Sequence, residues 1–285
     1  MPNKVIVLTD ATSGIGKALA VDLAKTGETV VIVAHDAEHG QAMLGEVGLA
    51  APNANVDLQL SDLSILSSVR NLAEILKSKY PVIDVLINNA SVHKKTRSVT
   101  VDGFEEMFAA NYLGPFLLTN LLLEPLQAAA QANGFARVWN VTAPSTIPLN
   151  FDDLQNERDF NTSNTFGAAR TAMLLFTLEL ARRLENSGIT ANAIHSESMN
   201  ESFFLTRLFT RSSPEKAAAS IVQAAIAPEF EKTTGKFLDD GKEIEVPAFA
   251  QDRNARQRLW EISEQLSGLA ATKGVTPVND PHLKQ

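Results

Sequence analysis

The sequence predicts a single α/β domain with a doubly wound, mostly parallel sheet. Short apolar runs such as KVIVLT, TVVIVA and DVLIN alternate along the chain with longer segments of helical pattern. Unbroken runs of Val, Ile and Leu are typical of strands buried on both faces, which indicates a parallel sheet covered by helices. Regular strand–helix alternation then implies right-handed crossover connections. No Pro-, Gly- or Ser-rich linker interrupts the pattern before about residue 195.

Each element is bounded by the point where its pattern starts and stops. The predicted strands are residues 4–9, 29–34, 54–59, 83–87, 136–141, 189–195 and 236–238. The predicted helices are residues 15–26, 37–49, 64–79, 102–130, 164–187 and 252–267, the last of them docked on the edge of the sheet. We assign residues 1–270 to the domain and residues 271–285 to a flexible C-terminal tail.

Composition and charge argue against several classes of partner. The formal net charge is −8 and the pI is about 5.2, whereas nucleic acids and anionic membranes bind clustered Lys and Arg. The absence of cysteine excludes disulfides and thiolate chemistry, and no histidine–carboxylate cluster has metal-ligand spacing. The longest apolar stretch, residues 116–123, is far short of the roughly 20 residues that span a bilayer. We expect a cytoplasmic protein with no nucleic-acid, membrane or metal partner.

A glycine-rich turn, TDATSGIG at residues 9–16, joins the first strand to the first helix. Glycines in such a turn let backbone N–H groups approach a pyrophosphate at the positive end of the helix. A tight turn that binds no ligand is the alternative. Asp62 follows the third strand, where a carboxylate can accept a hydrogen bond from an adenine amino group. Asn89 and Ala90 end the fourth strand in the same crevice, so we expect a small-molecule ligand at the carboxyl edge of the sheet.

Further motifs follow in a fixed order along the chain. They include SDLSILSSVR at residues 61–70, VLINNA at 85–90, the segment from 100 to 123, and LLFTLELARRLENSGITANAIH at 174–195. Together with the glycine-rich turn they resemble the short-chain dehydrogenase/reductase family, in particular its retinol-dehydrogenase-like and protochlorophyllide-reductase-like branch. The resemblance runs almost from end to end. It implies a Rossmann-type fold, NAD or NADP as cofactor, and hydride transfer between a carbonyl and an alcohol.

The resemblance also assigns cofactor contacts to the first turn, the strand ends and one long helix. These residues are Thr9, Asp10, Ser13, Gly14, Ile15, Gly16, His35, Asp62, Leu63, Asn89, Ala90 and Arg170.

Several positions near the expected cofactor depart from the family pattern. Asp10 replaces a glycine, and its carboxylate is expected to repel a 2′-phosphate or to bond a ribose hydroxyl. The end of the second strand, residues 34–36, has neither the family's NADP arginine nor its NAD aspartate in the usual place. Ser91 replaces the glycine after Asn-Asn-Ala, and Ser196 and Glu197 replace a Pro-Gly pair. We therefore expect cofactor binding to be altered, weak or lost.

The catalytic positions implied by the resemblance depart further. Only the family asparagine is kept, as Asn111, while Ala143, Phe166 and Arg170 occupy the usual Ser, Tyr and Lys positions. Phenylalanine cannot exchange a proton, and general acid–base help is worth ~10²–10⁴ in rate. Alanine removes a donor to the developing oxyanion, a loss of roughly 3 kcal/mol. Arginine keeps a permanent charge and does not relay protons. The sequence therefore predicts no ordinary hydride transfer.

Other side chains are candidates to replace the missing groups. Thr142 and Ser145 flank Ala143 and carry hydroxyls. His93 and His195 are placed at strand ends facing the crevice, although a structural role is the simpler interpretation of both. His93 with the two following lysines forms a basic lip that could receive an acidic ligand, or a solvated loop. Tyr112 is expected to pack against a neighbouring helix.

Three hypotheses follow for the function. The first is a degenerate family member that is kept as a binding or regulatory module. The second is an enzyme with redirected non-redox chemistry in the same crevice. The third is an NAD(P)-dependent oxidoreductase with an atypical proton donor. The broad apolar stripe of the helix at 164–187 is consistent with a homo-oligomer, and core packing explains it equally well.

Overall fold

A computed structural model describes residues 3–12, 14–195 and 214–269 of the chain. Three features from the sequence lie outside the described residues: Ser13 of the glycine-rich turn, the Ser196–Glu197 pair, and the predicted tail at 271–285. The described residues form a single Rossmann-like α/β domain, so the predicted fold class is confirmed.

The sheet has eight strands in the order β3-β2-β1-β4-β5-β6-β7-β8, parallel except for the antiparallel pair β7–β8. The strands are β1 (Val5–Thr9), β2 (Thr29–Ala34), β3 (Asn55–Leu60), β4 (Val85–Asn88), β5 (Ala136–Thr142), β6 (Ile189–His195), β7 (Phe237–Asp239) and β8 (Lys242–Glu243). The chain builds outward from β1 in one direction and then outward from β4 in the other. This reversal places a crevice between the carboxyl ends of β1 and β4.

Helices cover both faces of the sheet. They are α1 (Gly14–Ala24), α2 (Ala37–Ala50), α3 (Leu66–Lys79), α4 (Glu106–Phe108), α5 (Gly114–Leu121), α6 (Leu123–Asn133), α7 (Thr162–Arg183), α8 (Pro214–Ile226), α9 (Ala248–Gln251) and α10 (Arg253–Leu266). Successive side chains of a strand point to opposite faces, so Ile6 and Leu8 of β1 join the core layer under α1, α2 and α8, while Val7 joins the layer under α3, α5 and α7.

The stripe of α7 is accounted for within the chain. Leu174, Leu175, Phe176 and Leu178 are all buried in the core layer that the helix forms with the sheet and α10. Homo-oligomerisation stays a prediction. Within the part of the chain that the structure describes, no helix combines the length and the apolar character that crossing a bilayer requires.

The predicted helix at 102–130 is interrupted in the structure. Residues 99–105 form a turn closed by a bridge between Val99 and Glu105, and helix starts only where the Glu105 carboxylate accepts hydrogen bonds from the N–H groups of Met107 and Phe108. A π-helical turn, Ala109–Leu113, and a break at Leu122 divide the rest into α4, α5 and α6. The apolar pattern of the sequence continues across the π-helical turn and the break at Leu122, so it predicts neither of them.

Two further differences concern the C-terminal part. The sequence predicts no helix at Pro214–Ile226, although Ala217, Ala218, Ile221, Ala224 and Ala225 form its buried face. The last helix, α10, packs on α7 rather than on the sheet edge. The centre of the Trp260 ring lies 4.2 Å from the Arg183 guanidinium carbon, and the ring belongs to the aromatic cluster of that layer.

Candidate functional site

The crevice at the reversal of strand order is built from the residues that follow β1 and β4. The hydroxyl of Thr9 accepts hydrogen bonds from the N–H groups of Asn89 (3.0 Å) and Ala90 (3.3 Å). The side-chain amide of Asn89 donates to the Asp10 carbonyl at 2.8 Å. Buried threonine and asparagine side chains thus join the two strand ends and hold the crevice floor in one geometry.

The glycine-rich turn brings the N-terminus of α1 against this floor. A Cβ on Gly16 would lie 2.0 Å from the Asp10 carbonyl oxygen and 2.8 Å from the Asn89 amide nitrogen, so only glycine fits there. Gly14 has φ of +51° and Asp10 has φ of +53°. Glycine adopts this left-handed region freely, whereas the Asp10 backbone carries some strain. Ile15 is buried beneath the turn.

The outer end of the crevice lies over β2 and β3. The ring nitrogen Nδ1 of His35 is 3.7 Å from Oδ2 of Asp62, and both side chains reach solvent. The other carboxylate oxygen of Asp62 accepts hydrogen bonds from the backbone N–H and the hydroxyl of Ser64. Leu63 is buried, and its carbonyl packs closely on Gly114. Asp62 therefore keeps Oδ2 beside the His35 ring at the outer end of the crevice.

Arg170 of α7 is buried at the inner end of the crevice. Its guanidinium donates to the Val141 carbonyl at 3.3 Å and to the Ser91 hydroxyl, while Nε has no hydrogen-bond partner. Burial lowers the pKa of Arg170 to about 10, and the nearby Asp10 carboxylate partly opposes that shift. The group is still protonated at neutral pH, so α7 brings a permanent and poorly solvated positive charge to the site.

Phe166 lies one helical turn before Arg170 and covers its guanidinium. The Arg170 Cζ atom is 4.7 Å from the centre of the Phe166 ring, which is a cation–π arrangement. The imidazole of His93 meets the same ring edge-on, with 5.2 Å between the ring centres. Ala143 is half-buried in the loop after β5.

Asn111 is fully buried in the π-helical turn and holds the loop after β4. Its side chain accepts a hydrogen bond from the Val92 N–H at 2.6 Å and donates to the Val92 carbonyl at 2.7 Å. The sequence marks Asn111 as a site residue but does not predict this partner. In the structure its role is to fix the backbone between Ser91 and His93.

Asp10 and Ser91 also contact each other across the crevice. The Ser91 N–H donates to the Asp10 carboxylate at 3.3 Å, and the Thr12 hydroxyl donates to its other oxygen at 3.4 Å. Burial raises the pKa of Asp10, while these hydrogen bonds and the Arg170 charge act in the opposite direction. Sequence reasoning names Asp10, Ser91 and Arg170 as separate departures from the family, and the structure brings all three together. Thr12 is not identified from the sequence, because no family motif marks it.

Most candidate replacement groups are engaged elsewhere. The Thr142 hydroxyl donates to the Arg170 carbonyl at 3.0 Å and so points into the sheet–helix packing. The Tyr112 hydroxyl contacts the Ser263 hydroxyl on α10, away from the crevice, and burial raises its pKa. His195 is buried with Nδ1 3.4 Å from the Thr142 carbonyl.

Two candidates lie beside the first turn of α7. The Ser145 hydroxyl accepts a hydrogen bond from the Ile147 N–H at 3.1 Å and is 3.2 Å from where a Cβ on Gly167 would be. His93 is exposed at the crevice mouth. In the basic lip, Lys94 forms an ion pair with Glu106 at 2.7 Å, so its charge is already compensated.

The residues present fit the two halves of a nicotinamide dinucleotide unequally. The N-terminus of α1 with its close-packed Gly16 suits a pyrophosphate, and Asp62 and His35 suit an adenosine. On the β4 side, the Arg170 guanidinium already donates a hydrogen bond to the Ser91 hydroxyl. Among the residues that the structure describes, no group of three or more acidic or histidine side chains could hold a metal ion.

Comparison with known proteins defines the class of the molecule. The family model for short chain dehydrogenase matches residues 4–211, and the chain belongs to this family.

Individual relatives extend the match over nearly the whole chain. Retinol dehydrogenase 12 from Mus musculus is 36% identical over 281 residues, which cover 94% of this chain and 88% of that protein. A crystal structure of an uncharacterised protein from Mycobacterium paratuberculosis has a TM-score of 0.74 at 31% identity, and covers 94% of this chain and 96% of its own. Actinorhodin polyketide ketoreductase with NADPH shares the fold, with a TM-score of 0.62 at 21% identity over 84% of this chain and 97% of its own.

Proposed function

We propose that this short-chain dehydrogenase family member keeps the dinucleotide-type crevice as a binding or regulatory site and lacks ordinary hydride-transfer activity. The observation that carries the proposal is the packing of Phe166, whose ring stacks on the Arg170 guanidinium at 4.7 Å. The family's tyrosine hydroxyl and lysine ammonium belong at these two positions. In this chain these two positions hold an inert ring and a fixed cation.

The chemistry of the remaining groups supports the proposal. Reduction of a carbonyl needs a proton for the oxygen that becomes a hydroxyl, and a positioned side-chain acid is worth ~10²–10⁴ in rate. Arg170 does not serve as that acid, since a guanidinium in a protein holds its protons at neutral pH. Ala143 has no donor for the developing oxyanion. NAD or NADP, if bound, would supply a hydride. Asp62 and the N-terminus of α1 are the groups that would hold it.

Restoring the family groups tests the proposal. The variant Asp10→Gly, Ser91→Gly, Ala143→Ser, Phe166→Tyr, Arg170→Lys restores the family residue at each of these five positions. It should reduce a panel of aldehydes, including retinaldehyde, with NADH or NADPH, whereas the natural chain should not exceed the protein-free rate. Ala143→Ser alone is the matched control and should stay inactive, because the proton donor is still missing. Multiple turnover by the natural chain on any member of the panel would contradict the proposal.

A second candidate is an oxidoreductase in which His93 supplies the proton. Two observations favour it: the imidazole contacts the Phe166 ring at the crevice mouth, and mouse retinol dehydrogenase 12 matches 94% of the chain. A protonated imidazole there would donate to the carbonyl oxygen. If the natural chain turns over, His93→Gln should lower kcat by ~10²-fold or more. Lys95→Gln, on the same exposed loop, should leave kcat unchanged. Equal activity of both variants would exclude His93.

A further inference from the structure

Three residues from distant parts of the chain form one connected bridge over the crevice. Asp10 follows β1, Ser91 follows β4, and Arg170 lies on α7, yet the Ser91 N–H donates to the Asp10 carboxylate and the Arg170 guanidinium donates to the Ser91 hydroxyl. Arg170 also donates to the Val141 carbonyl of β5. The bridge therefore links the carboxyl ends of β1, β4 and β5.

The position of the bridge matters because it joins the β1 side of the crevice to the β4 side. In a doubly wound sheet a dinucleotide lies across the reversal of strand order, with its pyrophosphate at the N-terminus of the first helix and its adenosine on the β2 side. The other half must then pass to the β4 and β5 side. In this chain Asp10 and Ser91, which follow β1 and β4, contact each other between those two sides.

The bridge resists displacement for a physical reason. Arg170 is 1% exposed, and its Nε is already without a partner. A ligand that separated Ser91 from Arg170 would leave the buried guanidinium with the Val141 carbonyl as hydrogen-bond acceptor beside the Phe166 ring, and removing a hydrogen-bond partner from a buried charge is unfavourable. The adenosine side has no such obstacle, since His35 and the Asp62 carboxylate face solvent there.

We infer that Asp10 and Ser91 act together as a specificity determinant, which makes the crevice favour an adenosine diphosphate group over a complete nicotinamide dinucleotide. This inference rests on the proposed function, since it assumes that the crevice binds nucleotides. It assigns a role to two departures from the family that lie outside the Phe166 region.

Calorimetric titration of the full chain with ADP and with NAD⁺ tests the inference. The natural chain should bind NAD⁺ no more tightly than ADP, although NAD⁺ contains the whole of the ADP group. In the double variant Asp10→Gly, Ser91→Gly, the ratio of the NAD⁺ and ADP affinities should rise by about tenfold or more, the factor that corresponds to the loss of one or two hydrogen bonds. Thermal melting checks that the variant is folded, and Ser91→Gly alone, at an exposed position, is the second variant.

Asp10→Asn is the matched control. Asparagine keeps an acceptor for the Ser91 N–H and tolerates the left-handed backbone, but it removes the charge. ADP carries more negative charge than NAD⁺, so if the Asp10 charge only repels phosphates, Asp10→Asn should tighten ADP binding more than NAD⁺ binding. The ratio of the NAD⁺ and ADP affinities would then fall, opposite to the rise expected for the double variant.

The outcomes separate the inference from the function on which it rests. Tenfold tighter binding of NAD⁺ than of ADP by the natural chain would overturn the inference and leave nucleotide binding intact. An unchanged ratio in the double variant would do the same. If neither ligand binds the natural chain or the double variant, nucleotide binding itself fails, and the inference with it. If NAD⁺ binds the double variant and does not bind the natural chain, the inference is supported.

Discussion

Replacing Gly16 with alanine should destabilise the protein through one identifiable clash. The added Cβ would lie 2.0 Å from the Asp10 carbonyl oxygen, whereas ordinary contact begins at 3.4 Å, so the N-terminus of α1 must move by more than 1 Å. The same atom would lie 2.8 Å from the Asn89 amide nitrogen and would break its bond to that carbonyl. Overpacking costs about 1–3 kcal/mol and the lost hydrogen bond about 1 kcal/mol.

Part of this loss is offset, because alanine is favoured over glycine in a helix by roughly 0.5–1 kcal/mol. We therefore expect a net loss of about 2 kcal/mol in the free energy of unfolding, measured by urea denaturation. Gly45→Ala is the matched control, since Gly45 lies in α2 and an added Cβ there meets nothing within 4 Å. That variant should gain about 0.5–1 kcal/mol. A Gly16→Ala chain as stable as the natural one would refute the reasoning.

Three other changes have defined outcomes. Because burial raises the pKa of Asp10, its ionised form is disfavoured in the folded state, so stability falls as pH rises from the usual value of 3.8 through the raised one. Asp10→Asn should therefore be more stable than the natural chain at neutral pH, and this advantage should shrink towards pH 3.8. Urea unfolding at several pH values measures the difference in stability, and a difference that does not change with pH would contradict the prediction. Asn111→Ala removes both bonds to Val92 and should cost about 1–3 kcal/mol with faster amide hydrogen exchange at Val92; unchanged exchange there would count against the assignment. Tyr112→Phe should cost about 1 kcal/mol and no more, because Ser263 keeps its bond to the Leu259 carbonyl, so a loss several times larger would be inconsistent with this bonding.

The sheet could be predicted from sequence because its determinants are local. Strands β1 and β2 are continuous apolar runs, and the glycine-rich turn requires Gly16 where α1 meets the Asp10 carbonyl. The predicted strands of the parallel sheet agree with the structure to within two residues at each end. The short antiparallel strand β8 carries no apolar signal, since its two residues, Lys242 and Glu243, are exposed.

The side-chain arrangement of the crevice could not be predicted in the same way. Sequence pattern places Asp10, Ser91 and Arg170 at one edge of the sheet, but it does not give the reach of each side chain. Nor does it show that the Thr142 hydroxyl turns towards the backbone of α7. Both depend on rotamers set by packing, which no spacing rule encodes. The π-helical turn at Ala109–Leu113 is likewise invisible, because its residues are as apolar as those of a regular helix.

Buried charge recurs away from the crevice as a structural device. Arg137 of β5 is fully buried, and its guanidinium donates to the carbonyls of Ala224 and Ala225 at 3.1 and 2.8 Å. Those carbonyls belong to the last turn of α8, where a cation is favoured by the helix dipole. The contact explains how a helix with no basic residue in its own last turn is capped by the sheet beneath it.

We propose that, among the residues that the structure describes, Ala143, Phe166 and Arg170 leave the crevice without the family's side-chain proton donor. The most direct measurement incubates the natural chain with retinaldehyde and with NADH or NADPH carrying deuterium at the transferable position, and follows deuterium in the alcohol product by mass spectrometry. We expect no incorporation above the protein-free rate. Deuterated alcohol formed over many turnovers per protein molecule would contradict it.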